Sequence, residues 1–297
     1  MQLGITFPTH EIGIDPAAIR AFAEAAEGLS FSHIATYDHL IGADPAGHPG
    51  FNKPYTVRTP FHEPLTLFSF LACCTRRIGF VSAVLVLPMR QTVLVAKQAA
   101  EVDILCSGRL RLGVGVGRYD AEYQAMGADF RTRGRRIEEQ VALLRALWTQ
   151  QVVDFKGEWH TVTHGGLNPL PVQRPIPLWF GGSYDNDRVL RRIARISDGW
   201  LWYAPPVPNV NPLPAPDPRA AVERFRAYVR EAGRDPANVP VEGQMSVAHG
   251  TPETWRATFA AWEAIGAKSL VLNTMDAGFT SVDQHIQRLR EAKAALA

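Results

Sequence analysis

The sequence lacks most of the features that mark the commonest chemistries. Its three cysteines, Cys73, Cys74 and Cys106, are an odd number and form no C-x-x-C pair, so no disulfide framework is indicated and a reducing compartment suits it. Net charge is small, +2 at pH 7, and gives no general attraction to nucleic acid or to an acidic membrane. No apolar run approaches the ~20 residues of a membrane span. No basic stretch followed by an apolar one opens the chain, which runs at once into the strand-like Leu3 to Phe7. There is no G-x-S-x-G elbow, no cysteine in a nucleophile motif, and no H-E-x-x-H. Lysine is scarce beside arginine, and with abundant Ala and Pro this reads as the composition of a high-GC genome. The expectation is a soluble, cytoplasmic protein without a nucleic-acid or membrane partner.

What is present is a rhythm. Arg77 to Gly117 reads strand, helix, strand: Phe80 to Leu87 is a continuous apolar run between Gly79 and Pro88, as in a strand buried on both faces. Gln91 to Leu105 sets Leu94, Val95, Gln98, Ala99, Val102 and Leu105 at helical spacing, with Gly108 beyond to stop the helix. Leu110 to Val116 is the second strand, and such parallel strands need a right-handed crossover. Strand-like segments recur at 33–37, 178–180, 199–202, 239–247 and 269–273, with helices predicted over 16–29, 63–74, 134–148, 189–196, 219–232, 252–265 and 281–296. About eight such units in 297 residues predict a (β/α)8 TIM barrel, a fold of typically ~250 residues, as one domain over 1–297 with insertion loops at its C-terminal mouth. The extra length lies in loop 41–62, a hairpin near 152–163 and the proline-rich loop 203–218. A doubly wound open sheet is the alternative, less suited to eight regular units and short tails.

In a barrel, chemistry collects at the C-terminal ends of strands. That rule selects Asp38-His39, Leu87-Pro88, Gly113 to Glu122, Gly181-Gly182-Ser183 and loop 203–218, a set with few charges and much exposed backbone. His39 can move a proton near neutral pH or hydrogen-bond a substrate oxygen, and the same pair could simply cap a strand end. Gly113-Val114-Gly115-Val116-Gly117 departs from G-x-G-x-x-G, so it reads as a strand whose glycines admit a flat ring or the next loop. Gly181-Gly182-Ser183 before a helix is a phosphate candidate, the alternative being a plain turn with Ser183 or Asp185 as N-cap. Trp179, Trp200 and Trp202 read as packing, with Trp202 and Tyr203 able to wall a pocket. His10, His48, His62, His160 and His164 have no metal spacing, so no metal site is assigned. The basic run Arg131 to Arg136 solvates a helix start or attracts an anionic cofactor tail.

These residues resemble the luciferase-like monooxygenase superfamily, in its branch of F420-dependent oxidoreductases. The matching pieces are Tyr37-Asp38-His39, Val84 to Pro88, Ala96 to Ala100, Gly108 through Gly117, Arg133 to Arg136, Leu178 to Ser183, Ser197 to Trp200 and Gly250 to Glu253. The resemblance implies a barrel with coenzyme F420, or alternatively FMN, at its mouth, and a non-proline cis peptide at Ala83–Val84 against the ring. It implies Asp38 and His39 beside that ring, His39 as catalytic acid, base or oxyanion partner, and Gly181, Gly182 and Ser183 at the cofactor phosphate. With Ala83, Val84 and Gly113 these make up the expected cofactor site. One departure is Arg118, where F420-dependent sugar dehydrogenases carry a glutamate, which puts a sugar-dehydrogenase mechanism in doubt. The expected function is hydride transfer between F420 and a small organic substrate. The alternatives are an FMN monooxygenase using reduced flavin and O2, and a barrel that binds flavin without turnover. Loops 41–62 and 203–218 are expected to wall the substrate, and a homodimer is the assembly the resemblance suggests.

Overall fold

The computed structural model describes residues 1–48, 55–202 and 217–297 of the 297-residue chain. The chain runs β1 (Gln2–Thr6), α1 (Pro16–Gly28), β2 (His33–Thr36), α2 (Pro64–Cys74), β3 (Gly79–Ser82), β4 (Leu85–Val86) and α3 (Thr92–Leu105). It continues with β5 (Leu110–Gly115), α4 (Asp120–Ala125), α5 (Arg133–Thr149), β6 (Val153–Lys156), β7 (Thr161–Gly165), β8 (Leu178–Gly181) and α6 (Asp187–Ile196). The last part is β9 (Gly199–Leu201), α7 (Pro218–Glu231), β10 (Val241–Ser246), α8 (Pro252–Ala264), β11 (Ser269–Asn273) and α9 (Val282–Leu296).

The hydrogen-bonded order is β3-β2-β1-β11-β10-β9-β8-β5-β4, and β3 also pairs with β5. Counting β3 and β4 as one interrupted strand, this is the expected (β/α)8 barrel. The hairpin β6–β7 stands apart as an antiparallel pair. Among the described residues no helix is long and apolar enough to cross a membrane. Of the expected substrate walls, residues 49–54 of loop 41–62 and residues 203–216 of loop 203–218, Tyr203 included, lie outside the described residues.

By internal contacts the chain divides into two compact units. The first comprises Met1–Thr36, Arg77–Val81 and Trp179–Ala297. Phe7 meets Phe22 edge-on in its core, with ring centroids 5.6 Å apart. Trp200 lies flat on Trp202 at 4.9 Å and touches Phe225 at 4.8 Å, and Trp262 meets Trp202 edge-on at 5.3 Å. Buried Glu242 accepts from Ser269 Oγ at 2.6 Å and faces His33 Nε2 at 3.2 Å, so its charge is held inside the sheet.

The second unit comprises Tyr37–Arg76 and Ser82–Leu178. Here three expectations are corrected. The apolar run 80–87 is not one strand: it breaks at a cis Ala83–Val84 bond and passes into a 3₁₀ turn at Leu87–Met89. Leu94 and Leu105 do not face the core but stand half exposed, while Ala96 and Ala100 are buried. Small residues let α3 lie close, and the face is chosen by that close approach rather than by the largest side chains. Third, between Gly117 and the helix expected from 134, where no helix is expected, lies the short helix α4, anchored by buried Tyr123, whose hydroxyl donates to the Val116 carbonyl at 2.7 Å.

Candidate active site

Asp38 and His39 follow β2 and diverge. The Asp38 side chain is fully buried; one oxygen accepts the Val86 amide at 2.9 Å and the other accepts from Arg90 at 2.7 Å. Arg90 also reaches Glu63 at 3.1 Å, and Glu63 in turn caps α2 through the Thr66 amide at 2.8 Å. Burial pushes the Asp38 carboxyl up, and Arg90 and the Val86 amide act against it. Asp38 thus clamps β4, next to the cis bond, and offers no oxygen outward. A part in a cofactor site would run through the backbone it holds.

His39 faces a different partner. Its Nδ1 is 3.1 Å from both carboxylate oxygens of Glu122, and Glu122 Oε1 also accepts the Leu40 amide at 2.9 Å. Glu122 is 2% exposed and His39 16%. Three aromatic rings box the imidazole: Tyr119 at 4.6 Å, Phe61 at 4.8 Å and Tyr55 at 5.2 Å. The Tyr119 hydroxyl accepts the Tyr55 amide at 3.2 Å, and burial raises its pKa above the ordinary phenol value. His39 lines a cavity of about 210 Å³ with Leu40, Tyr55, Val57, Phe61 and Tyr119. That is below the ~300–1,000 Å³ of drug-sized pockets, so it suits a small organic group.

α4 is what brings Glu122 to His39. Tyr123 packs with Val86 and Met89, against Leu40, Ala128 and Phe130, and this fixes the preceding residue over the imidazole. Sequence reasoning reached Glu122 as the end of the stretch Gly113 to Glu122 but did not pair it with His39, because 83 residues separate the two. The position immediately after the glycines, Arg118, is exposed.

The other expected residues sort as follows. Ala83 is buried and Val84 half-buried at the cis bond that the resemblance placed there. Buried Gly113 accepts Ser82 Oγ at 2.8 Å through its carbonyl. Gly117 is the glycine that close approach requires, with φ +60° and a Cβ that would sit 2.6 Å from Val86.

Gly181, Gly182 and Ser183 lie in the first unit. A Cβ on Gly182 would strike Ile193 and Val189, and its carbonyl accepts Trp200 Nε1 at 3.1 Å. Ser183 donates to Asp185, and neither is the N-cap of α6; Asn186 is, accepting the Val189 amide at 3.2 Å. Asp185 and Asp187 here oppose an anion, so packing accounts for Gly182 without a phosphate.

A flat redox ring is tested better by Trp202. It is 2% exposed, and its Nε1 has no hydrogen-bond partner among the described residues. A buried donor left so costs about 1–3 kcal/mol. The carbonyl-rich edge of a flavin or deazaflavin is the kind of acceptor that fits it.

Three of the other histidines are engaged locally: His160 with Glu139 and Thr92, His164 with Asp154, and His10 beside Glu11 and Asp276. In the basic run Arg133 lies over the Phe130 ring and Arg135 pairs with Glu158.

The profile of the luciferase-like monooxygenase family matches residues 1–296. The chain belongs to that family. Among luciferase-like relatives, an uncharacterized protein of Mycobacterium tuberculosis is 35% identical over 184 residues, 60% of this chain and 62% of that one. The alignment thus spans just under two thirds of that relative's length. An FMNH2-dependent dimethylsulfone monooxygenase of Pseudomonas putida is 34% identical over 146 residues, 48% of this chain and 39% of the other. Among solved structures, an F420-dependent secondary alcohol dehydrogenase bound to an F420–acetone adduct has a TM-score of 0.76 at 18% identity, covering 100% of this chain and 99% of that one. The F420-dependent tetrahydromethanopterin reductase of Methanopyrus kandleri has a TM-score of 0.74 at 15% identity, with coverage of 100% and 99%. At such identities these two show the luciferase-like fold alone.

Proposed function

We propose that this luciferase-like protein is an F420-dependent oxidoreductase that moves a hydride between the deazaflavin and a small organic substrate. The observation that carries the reading is His39, held by buried Glu122 and walled by three aromatic rings over a cavity of about 210 Å³. F420, when bound, supplies a carbon that takes or gives hydride. His39 handles the proton that a hydride transfer leaves over, at its outward ring nitrogen. Tyr119, Phe61 and Tyr55 pack around the imidazole and line the cavity that the substrate would enter. Asp38, through Arg90 and the Val86 amide, keeps β4 in place. The F420-dependent structural neighbours support the cofactor.

FMN with reduced-flavin oxygenation is the second reading, favoured by the FMNH2-dependent Pseudomonas relative. Titrating the purified chain with F420 and with FMN, side by side, by absorbance and fluorescence separates the two. His39→Ala is expected to lower turnover ~10²- to 10⁴-fold and to change cofactor affinity little, the size of a positioned acid or base. Near-normal turnover by that variant removes His39 from the chemistry.

A further inference from the structure

We infer that Glu122 is a positioning residue that fixes which nitrogen of His39 carries the proton, leaving Nε2 as a lone-pair acceptor toward the cavity. The inference rests on the oxidoreductase reading for its catalytic consequence, but not for its structural content. An ionised carboxylate only accepts hydrogen bonds. Glu122 Oε1 already accepts the Leu40 amide at 2.9 Å, which marks that oxygen as an acceptor. Both carboxylate oxygens then stand 3.1 Å from His39 Nδ1. The proton between them therefore sits on Nδ1, and the neutral ring has a bare Nε2. Nε2 has no partner among the described residues, and His39 lines the cavity. Tyr119, Phe61 and Tyr55 pack around the ring in tilted and edge-on arrangements, and the side chain keeps 16% of its surface open.

The consequence is chemical. When a substrate carbon gives up a hydride to the deazaflavin and its O–H or N–H loses a proton, Nε2 takes that proton and the ring becomes imidazolium. The electron pair of the broken C–H bond leaves with the hydride, and that of the broken O–H or N–H bond forms the new C=O or C=N. The buried carboxylate, 2% exposed, stabilises the positive ring as it forms. In the reverse direction the same imidazolium returns the proton. A ring in the other tautomer would point an N–H at the substrate and could not accept.

Glu122→Gln tests this with little change of shape. With its amide oxygen kept on the Leu40 amide, its NH2 takes the other oxygen's place, 3.1 Å from Nδ1, and that new donor favours Nδ1 as acceptor and the proton on Nε2. Nitrogen-15 spectra of the full chain with labelled histidine, with His39 assigned by the signal lost in His39→Asn, read the tautomer without cofactor or substrate. The expected result is Nδ1–H in the native chain and Nε2–H in E122Q, with kcat lowered ~10²-fold or more and KM within about threefold. Glu122→Asp, which keeps an acceptor-only group, is expected to retain the Nδ1–H form and recover part of kcat.

Native His39 in the Nε2–H form, or an unchanged tautomer in E122Q, overturns the inference. So does a switched tautomer with unchanged kcat. A chain that switches tautomer as expected, yet turns over no substrate with F420 or FMN, upholds Glu122's hold on His39 and overturns the oxidoreductase reading instead.

Discussion

At the scale of single residues, Asp38 and His39 are neighbours with opposite fates, and the difference is the partner each meets. Asp38 turns inward to Arg90, itself 10% exposed, and the pair spans 52 residues of sequence. A buried ion pair adds little net stability over an apolar pair, but removing one member leaves the other's charge uncompensated, at about 3–5 kcal/mol. Arg90 keeps Glu63 at 3.1 Å, so Asp38→Asn is expected to cost less, about 1–3 kcal/mol in urea unfolding, and D38N/R90Q less than the sum of the two single changes. A D38N chain as stable as the native one shows Arg90 reaching water instead. The sequence marked Asp38 and His39 by their place after a strand, which position alone allows. It could not pair Asp38 with Arg90 or His39 with Glu122, because a side chain's partner across 52 or 83 residues is decided by packing and not by any local pattern.

At the scale of elements, α9 shows a charge problem of another kind. Its His285 is fully buried, with Nδ1 2.8 Å from the Thr274 hydroxyl and Nε2 3.3 Å from Glu11, beside His10 and under the Phe279 ring. Burial, and then the nearby His10, lower its value from 6.5 to about 4. The folded chain therefore holds this ring neutral, while the unfolded chain takes up a proton below about 6.5. Stability from this group is whole above 6.5 and drains as pH falls toward 4, by up to about 3 kcal/mol. His285→Gln is expected to flatten that part of the stability–pH curve, measured by denaturant midpoints between pH 7 and 4. An unchanged curve means Glu11 shelters the imidazolium.

Most elements were legible because their apolar spacing and caps agree. Asp15 and Pro16 open α1, Glu63 and Pro64 open α2, and Thr251 and Pro252 open α8. α4 was not, since six residues hold too few turns for a period to show, and its helix is held by Tyr123 in a distant core. The interruption at Ala83–Val84 is equally silent in hydropathy, because residues on both sides are apolar. It was reached through the family resemblance and not through the pattern.

At the scale of the molecule, the eightfold strand–helix rhythm was readable because each unit buries its strand against the next helix, and this repeats along the chain. The cofactor was not readable in that way, because F420 and FMN share a flat, carbonyl-edged ring, and one indole N–H serves either. Binding to the folded chain alone raises its stability by mass action, about 2.7 kcal/mol at a hundred times Kd. For a chain near this size that is a rise in melting temperature of roughly 5–10 °C, taking ~2–4 °C per kcal/mol. F420 is expected to give that rise and FMN at equal concentration a smaller one; the reverse order favours the oxygenase reading. Trp202→Phe keeps an aromatic ring against Trp200 but removes the donor, and one hydrogen bond is worth ~1 kcal/mol, so cofactor Kd is expected to rise about fivefold. The protein without cofactor is expected to lose about 1–3 kcal/mol, since the smaller ring leaves a void between Trp200 and Trp262 that outweighs removal of the orphan donor. Loss of the apo fold in W202F together with an unchanged Kd would place the indole in the packing of the aromatic cluster alone.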